Sequence, residues 1–170
     1  GIADRTDYDL RVHMDHSNVD LRYLDPETNE KYLPYVIEPS VGLDRLILAI
    51  LCDAYHKDLI DTEERLVLKL HPTLAPYKVT ILPLIKKVHG EKAMAIYGEL
   101  AKDFMCSYDE SGSIGKRYRR SDAVGTPFAI TIDDETLKNG TVTVRDRDTM
   151  KQTTMSISDF KAFLKEKIDF

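Results

Sequence analysis

The feature that most constrains the fold is an alternation of strand and helix patterns between residues 77 and 168. β-branched runs that suit strands are separated by segments whose apolar residues recur at helical spacing. The predicted strands are residues 77–85, 105–108, 127–132, 141–147 and 153–157, and the predicted helices are residues 91–104, 113–124 and 158–168. Strands that alternate with helices and end in an antiparallel ribbon favour an α/β fold with a mixed sheet and helices packed on it.

The first part of the chain has a different pattern. Residues 21–24 and 31–38 are strand-like runs, and the segment between them is rich in turn-forming residues. This pattern predicts a β-hairpin whose loop is longer than two residues. Apolar residues then recur at helical spacing over residues 41–57, which predicts a helix. Residues 1–20 are polar and acid-rich, and they predict no self-contained element.

Two prolines indicate a linker between these two parts. Pro72 and Pro76 lie where the charge balance also changes. Residues 1–71 carry 8 basic and 15 acidic residues, a net charge of −7, whereas residues 72–170 carry 16 basic and 14 acidic residues, a net charge of +2. We therefore predict a domain boundary near residue 72, with one domain over residues 1–71 and a second over residues 72–170.

Composition excludes several classes of protein. The net charge of −5 argues against a general nucleic-acid coat, although it leaves room for a local basic patch. Two cysteines, Cys52 and Cys106, are too few for a disulfide framework or a zinc site, and they fit a reducing cytoplasm. The longest apolar run, residues 46–52, is far shorter than the roughly 20 residues of a membrane helix, so no membrane partner is predicted.

The junction between a predicted strand and a predicted helix is the first candidate site. Glu38 lies where the strand ends, and Pro39 breaks the strand before the helix begins. Gly42 lacks a side chain, so that backbone can approach a ligand, and Arg45 can reach an anion at the helix N-terminus. A carboxylate for an amine and an arginine for a phosphate could together hold a charged small molecule. The alternative is a capped helix with a surface arginine and a turn glycine.

Basic residues cluster in a second candidate site, residues 111–120. The segment holds two glycines and four basic residues around Tyr118. This composition suits contact with phosphates beside one stacking ring, and a solvated basic helix face is the alternative. Arg145 and Arg147 form a second basic pair, whose charge the neighbouring aspartates partly cancel.

Other motifs predict no chemistry. His13, Asp15 and His16 lack a matched third ligand, so no metal site is predicted. Residues 133–135 are acidic and indicate a hairpin corner, because no twelve-residue calcium-loop pattern follows. Cys52 lies on the apolar helix, which favours a buried and inert thiol.

Taken together, several segments resemble the C-terminal half of glycyl-tRNA synthetases of the homodimeric class II type. They include the opening Gly-Ile-Ala-Asp-Arg-Thr-Asp-Tyr-Asp-Leu and the Tyr-Val-Ile-Glu-Pro-Ser-Val-Gly-Leu-Asp-Arg of residues 35–45. The remaining segments are residues 75–84, 111–120, 122–133 and 141–150. The resemblance therefore covers nearly all of the 170 residues.

The resemblance implies a two-part architecture. Residues 1–71 are expected to be the end of a class II catalytic domain, an antiparallel sheet with helices, in which Pro39 and Arg45 match the third class II motif. Residues 72–170 are expected to be the anticodon-binding domain shared by the glycyl, histidyl, prolyl and threonyl enzymes. That domain is a mixed five-stranded sheet flanked by helices, as the alternating pattern also predicts.

The resemblance also implies the roles of individual residues in a synthetase that uses ATP and Mg²⁺. Glu38 would accept hydrogen bonds from the ammonium group of glycine, Ser40 would exclude larger side chains, and Arg45 would be the catalytic residue on the terminal phosphates of ATP. The expected glycine-binding residues are Glu38, Pro39, Ser40, Val41 and Gly42. The expected ATP-binding residues are Gly42, Leu43, Asp44 and Arg45. No residue is predicted to bind a metal ion.

The expected partners are tRNA-Gly, glycine and ATP, with a homodimer for the complete enzyme. Anticodons of tRNA-Gly end in two cytosines, and carboxylates can accept hydrogen bonds from the cytosine amino group. The candidate anticodon contacts are Asp109, Glu110, Arg119, Arg145 and Arg147. Because the first two class II motifs would precede Gly1, the 170 residues alone are expected to form no adenylate.

Two other functions remain open at this point. One is a non-catalytic accessory or nucleic-acid-binding subunit derived from a synthetase, which would not need the intact glycine pocket. The other is a histidyl, prolyl or threonyl enzyme, which the Glu-Pro-Ser stretch and the Gly-Ile-Ala-Asp-Arg opening disfavour.

Overall fold

The computed structural model describes residues 1–60 and 63–168. The chain divides into two compact units, Gly1–Leu48 and Ala49–Phe170. The segment before residue 72 therefore contributes to both units, and the domain boundary near residue 72 stays a prediction. Residues 61, 62, 169 and 170 of the two predicted domains lie outside the described residues.

The first unit is built on short antiparallel strand pairs. Strand β1 (Ile2–Asp4) pairs with β4 (Ile37–Pro39), so that Ala3 lies opposite Glu38. Strands β2 (Tyr23–Leu24) and β3 (Lys31–Tyr32) form the predicted hairpin with a loop longer than two residues.

Helix α1 (Tyr8–Ser17) lies between β1 and β2 in the chain and has no buried residue. Sequence patterning missed it because a helix that buries no apolar stripe shows no helical period. Its first turn is supported by an ion pair four residues apart, between Arg11 and Asp7.

Helix α2 (Leu43–Ala54) confirms the predicted helix but ends three residues earlier than expected. The chain then forms a β-ribbon from β5 (Tyr55–Ile60) and β6 (Glu63–Leu68). Cys52 is exposed, which corrects the prediction of a buried thiol. The helical period correctly placed apolar residues on one face, but within the described chain Leu46, Ile47 and Leu51 on that face remain exposed as well.

The second unit contains a mixed five-stranded sheet in the order β11-β10-β9-β7-β8. The strands are β7 (Val79–Pro83), β8 (Cys106–Tyr108), β9 (Phe128–Ile132), β10 (Thr141–Asp146) and β11 (Gln152–Ser156). The helices are α3 (Lys86–Leu100), α4 (Ile114–Ala123), α5 (Asp134–Asn139) and α6 (Ile157–Ile168). Strand β7 pairs in parallel with β8 and β9, and the β9-β10-β11 ribbon is antiparallel. The predicted α/β fold with a mixed five-stranded sheet and flanking helices is confirmed.

The two faces of this sheet differ in polarity. Because side chains alternate along a strand, one face carries the apolar residues that pack against α3 and α6. That core contains Val79, Ile81, Ala93, Ile96, Leu100, Phe128, Ile130, Ile132, Val142, Val144, Phe160 and Leu164. The opposite face, toward α4, carries Thr80, Leu82, Ser107, Ala129, Thr131, Thr143, Arg145, Gln152 and Thr154. We call this second face the polar face of the sheet.

Helix α5 corrects the interpretation of residues 133–135 as a hairpin corner. Asp133 is the N-cap of the helix, and its carboxylate accepts a hydrogen bond from the backbone N–H of Thr136. The Thr136 hydroxyl accepts in return from the N–H of Asp133, which completes a capping box. The acidic residues therefore start a helix, where negative charge favours the N-terminus. Among the described helices, none is long and apolar enough to cross a membrane.

Candidate functional site

The first unit contains a pocket of about 410 Å³ beside the start of α2. Its wall is formed by Gly1, Ser40, Val41, Gly42 and Arg45. Four of these five residues were predicted to bind glycine or ATP. The structure therefore brings four of the eight predicted substrate-binding residues to one cavity.

The pairing of β1 with β4 continues into the pocket wall, where Gly1 and Ser40 are joined through their backbones. The nitrogen of Gly1 donates to the carbonyl oxygen of Ser40 over 2.7 Å, and the Ser40 N–H donates to the Gly1 carbonyl over 2.9 Å. A side chain at Gly1 would begin 3.3 Å from the Ser40 hydroxyl, whereas the space around Gly42 is open for at least 4 Å. A ligand can thus approach the backbone of Gly42 closely.

A neighbouring pocket of about 350 Å³ is lined by Gly42, Leu43, Asp44 and Arg45, the four predicted ATP-binding residues. Glu38 and Pro39 lie on β4, outside the walls that the described residues give to these two pockets. Glu38 is placed next to the pocket segment by sequence alone, two residues before Ser40.

Glu38 has a basic neighbour that sequence analysis missed. The Nε atom of Arg5 lies 3.7 Å from its Oε2 atom, and the Glu38 side chain is 56% exposed. Arg5 also donates to both carboxylate oxygens of Asp9, at 2.8 and 2.9 Å. These hydrogen bonds raise the pKa of Arg5 and lower the pKa of Asp9. The pairing of β1 with β4 is the signal that would have found Arg5, because it sets the two strand ends side by side.

In the second unit, the polar face of the sheet carries a tyrosine–arginine pair. The hydroxyl groups of Tyr118 on α4 and Thr131 on β9 are 2.6 Å apart and share a hydrogen bond. The guanidinium carbon of Arg145 lies 4.7 Å from the centre of the Tyr118 ring, within the range of a cation–π contact. Thr143, Gln152 and Thr154 extend the same face along β10 and β11, and the latter two are exposed.

Arg145 itself is 7% exposed and forms a two-pronged ion pair with Asp122 of α4. Its Nη1 and Nη2 atoms donate to the two carboxylate oxygens of Asp122 over 2.8 and 3.0 Å. The sequence pattern predicts a strand over residues 141–147 but gives no sign that Arg145 is buried, because the carboxylate that makes this burial tolerable lies 23 residues away. The strand bounds were nearly right, but the burial of Arg145 was not foreseen.

Arg147 is also buried, and its guanidinium binds backbone. It donates to the carbonyl oxygens of Gly125 and Leu70, at 2.9 and 2.8 Å, and to the carboxylate of Asp148. These bonds are all made within the second unit, and they hold Leu70 and Gly125 next to the end of β10. They give Arg147 a structural role, and an anticodon contact for Arg147 and Arg145 stays a prediction.

The two acidic residues among the predicted anticodon contacts, Asp109 and Glu110, directly follow β8. Glu110 forms an ion pair with Lys86 and accepts a hydrogen bond from the Tyr108 hydroxyl over 3.0 Å. These contacts lower the pKa of Glu110, while burial and the nearby carboxylate raise the pKa of Tyr108 to about 12. Asp109 accepts from Arg120, at 2.6 and 2.8 Å. Both carboxylates are therefore engaged with basic residues.

The basic segment 111–120 divides into buried and exposed members. Arg117 is buried, and its Nε and Nη2 atoms hold the carbonyl oxygen of Gly112 at 3.0 and 2.8 Å. Gly112 adopts a positive φ of 76°, so Arg117 fixes a turn that favours glycine. Lys116, Arg119 and Arg120 are exposed. The predicted phosphate-contacting patch is thus reduced to three exposed basic side chains, and phosphate contact stays a prediction.

The part of the chain that the structure describes contains no candidate metal site. Among residues 1–60 and 63–168, no three His, Cys, Asp or Glu side chains are grouped so that they could hold a metal ion. The Mg²⁺ that the resemblance implies is therefore not assigned to ligands of this chain.

Comparison with known proteins decides the family. A family model described as an anticodon binding domain matches residues 78–167, the range that contains all five strands of the mixed sheet. The chain belongs to this family. A crystal structure of the RNA-binding domain of threonyl-tRNA synthetase from Cryptosporidium parvum matches 58% of this chain and 25% of its own, with a TM-score of 0.54 and 25% identity.

Relatives match beyond the anticodon-binding domain. A glycine–tRNA ligase of Bacillus cereus is 58% identical over all 170 residues. A glycine–tRNA ligase of Geobacillus thermodenitrificans is 60% identical over 171 aligned positions. The chain spans 37% and 36% of the length of these two relatives. The resemblance to glycyl-tRNA synthetases is thereby confirmed over the first unit as well as over the anticodon-binding domain.

Proposed function

We propose that this chain is the C-terminal part of a glycine–tRNA ligase, which activates glycine with ATP and transfers it to tRNA-Gly. The observation that carries the proposal is the 58% identity of all 170 residues to a protein of that name. Two features support it: a pocket lined by four of the eight predicted substrate-binding residues, and a second unit that belongs to the anticodon-binding domain family. We further propose that the complete protein is a cytoplasmic homodimer.

In this proposal, the pocket beside α2 receives glycine and ATP. Arg45 is the basic side chain in a wall otherwise made of glycine, serine and valine, which suits the phosphates of ATP. Ser40 narrows the amino-acid end, and Glu38 accepts hydrogen bonds from the glycine ammonium group. The other expected contacts are Pro39, Val41 and Gly42 for glycine, and Gly42, Leu43 and Asp44 for ATP.

Exclusion by size is an effective way to select glycine. A larger amino acid cannot shrink to fit, whereas rejecting a smaller one that lacks a single methylene is worth only about 1–3 kcal/mol. In this proposal, Ser40 helps to keep the amino-acid end of the pocket too small for a side chain.

The proposed reaction has two steps. An oxygen of the glycine carboxylate attacks the α-phosphorus of ATP, the bond from that phosphorus to the bridging oxygen breaks, and glycyl-adenylate and pyrophosphate form. A hydroxyl of the terminal tRNA ribose then attacks the glycyl carbonyl carbon and displaces AMP. This chain contributes positioning and charge neutralisation, with Arg45 next to the phosphates. When bound, Mg²⁺ adds further neutralisation of the phosphates.

The second unit would bind the anticodon of tRNA-Gly. Exposed Arg119 offers charge to phosphates, and the Tyr118 ring is polarised by the guanidinium of Arg145. Asp109 and Glu110 are the proposed acceptors for cytosine amino groups. The polar face of the sheet supports this role, because single-stranded bases are recognised by stacking and by hydrogen bonds to their edges.

A chimera tests the proposed activity in a complete enzyme. The 170 residues replace the aligned segment of the Bacillus cereus glycine–tRNA ligase, and glycine-dependent exchange of pyrophosphate into ATP is measured. We expect exchange within about tenfold of the parent enzyme, and a loss of about 10²–10³-fold on Arg45→Ala. Arg22→Ala, at an exposed ion pair outside the pocket, is the matched control and is expected to leave exchange unchanged. A folded chimera without exchange, or an Arg45→Ala variant as active as the chimera, would contradict the proposal.

A further inference from the structure

A buried carboxylate lies directly behind the tyrosine–arginine pair of the polar face. We infer that Asp122, itself held by Arg65, is a positioning residue that fixes the guanidinium of Arg145 for recognition of the anticodon. The inference rests on the proposed function, because it assigns a task to Arg145 in tRNA binding. It adds two residues, Asp122 and Arg65, that lie outside the predicted site.

The geometry around Asp122 defines one orientation of Arg145. Both carboxylate oxygens accept hydrogen bonds from Arg145, at 2.8 and 3.0 Å, in the planar fork that arginine and carboxylate form. The Tyr118 ring, tied to Thr131, contacts the same guanidinium. Two hydrogen bonds and one ring contact therefore determine both the plane and the direction of the group.

This arrangement leaves Arg145 chemically able to bind a ligand. A guanidinium has five N–H donors, and the two bonds to Asp122 use two of them. Immobilising a mobile arginine on binding costs roughly 0.5–1.5 kcal/mol. Because Asp122 already holds Arg145 in place, tRNA binding avoids this cost. Asp122 thus acts through Arg145 without touching the tRNA.

Arg65 on the β5-β6 ribbon also donates a hydrogen bond to the Asp122 carboxylate. Its Nη1 atom donates to Asp122 over 3.1 Å and to the carbonyl oxygen of Arg147 over 2.8 Å. Its Nη2 atom donates to Asp58 over 2.6 Å, and Asp58 also pairs with Lys69. The side chains of Arg65 and Asp122 are each 2% exposed, so the ribbon contributes a buried support to the polar face of the anticodon-binding domain.

Buried ion pairs of this kind are a poor source of stability compared with apolar packing. Desolvation of the charges can exceed their attraction, so a buried pair is weak evidence for stability. In this inference, the effect of the set is the geometry that it imposes on Arg145. Here one carboxylate is shared by two guanidinium groups, and each would lose its buried partner if Asp122 moved. The carboxylate therefore fixes two arginines at the same time.

The test is whether the chain discriminates between two anticodons. A purely structural role of Asp122 would leave this discrimination unchanged. The dissociation constant for tRNA-Gly with both anticodon cytosines replaced is divided by the dissociation constant for tRNA-Gly, and this ratio is measured with the 170-residue chain. We expect Asp122→Asn and Arg145→Lys each to lower this ratio about tenfold, because a misaligned fork loses its base-edge contacts. The double variant is expected to lose no more than either single variant, and Arg65→Lys is expected to lower the ratio by a smaller factor.

A stability control separates positioning from general destabilisation. Ile96→Val, in the apolar core on the other side of the sheet, is expected to lower the melting temperature and to leave the ratio unchanged. If Asp122→Asn keeps the parent ratio, or if its effect adds to that of Arg145→Lys, the inference is wrong while the proposed function stands. If the parent chain itself fails to discriminate between the two tRNAs, the proposed function fails, and the inference fails with it.

Discussion

The guanidinium of Arg147 donates from Nη2 to the carbonyl oxygen of Leu70 over 2.8 Å, although the two residues lie 77 positions apart. A second bond from Nη1 reaches the carbonyl oxygen of Gly125. One buried side chain, directly after β10, therefore binds the backbone at both Leu70 and Gly125. Within the second unit, Leu70 is therefore held against Gly125 and the end of β10 by side-chain to backbone bonds. This contact makes the packing around Gly125 a sensitive test of the architecture.

Gly125→Ala is expected to destabilise the protein strongly. Gly125 has a φ of +83°, and an added Cβ would lie 2.9 Å from Leu70 Cδ1 and 3.1 Å from the Leu68 carbonyl oxygen. The left-handed backbone costs about 1–2 kcal/mol for a non-glycine residue, and overpacking adds about 1–3 kcal/mol. Urea unfolding followed by circular dichroism measures the loss of the free energy of unfolding.

Gly140→Ala is the matched control for this substitution. Gly140 has a similar φ of +73° but no atom within 4 Å of an added Cβ. It is expected to lose only the backbone cost of about 1–2 kcal/mol. Equal losses at the two positions would contradict the close packing of residues 68–70 against Gly125.

The two cysteines are expected to react with thiol reagents at very different rates. Burial raises the pKa of Cys106 to about 11, so at pH 8 only about one thiol in a thousand is ionised there. Cys52 is exposed. A disulfide reagent at pH 8 should therefore titrate one thiol rapidly, and Cys52→Ser should abolish this fast phase.

Full unfolding in guanidinium chloride is the control for the thiol measurement, because both cysteines should then react at one rate. The sign of the pH effect is also fixed: a raised thiol pKa means that reactivity of Cys106 increases only as pH approaches 11. Two fast thiols in the folded chain at pH 8 would show that Cys106 is not shielded.

The segment around α4 shows how far patterning reaches. Sequence analysis correctly predicted a helix with a basic face beside Tyr118, because charge and period are local properties. It did not foresee that Arg117 and Arg145 are buried, since two of the groups that satisfy them, the Pro83 carbonyl oxygen and the Asp122 carboxylate, lie 34 and 23 residues away in sequence. Polar burial depends on partners that no local window contains.

The candidate substrate pocket also shows which residues a local sequence pattern can find and which it cannot. Residues 40–45 are adjacent in sequence, so a motif could collect most of the pocket wall without knowledge of the fold. Gly1 and Arg5 reach this region only through the pairing of β1 with β4, which brings together strands more than 30 residues apart. Strand partners at that separation carry no local signal, and neither residue had been assigned a role.

Arg119→Gln is expected to weaken the binding of tRNA and to flatten its dependence on salt. Arg119 is exposed on α4 beside Tyr118, where an arginine can neutralise a phosphate. Loss of one phosphate contact reduces the slope of log K against log salt by about 0.7 for a single-stranded segment. Fluorescence anisotropy with labelled tRNA-Gly between 50 and about 200 mM salt gives affinity and slope together.

Arg22→Gln is the control for the salt experiment, because Arg22 lies outside the anticodon-binding domain and is paired with Asp20. Its affinity and slope are expected to match those of the parent chain. If Arg119→Gln also matches the parent in both quantities, Arg119 makes no phosphate contact.

The central claim, that the second unit reads the anticodon of tRNA-Gly, is tested most directly by the parent chain alone. The measurement is the dissociation constant for tRNA-Gly and for the same tRNA with its two anticodon cytosines replaced by adenines, at one salt concentration. The account predicts weaker binding of the altered tRNA by about tenfold or more, since each well-formed contact to a base edge contributes about 1–3 kcal/mol. Equal dissociation constants for the two tRNAs would contradict it.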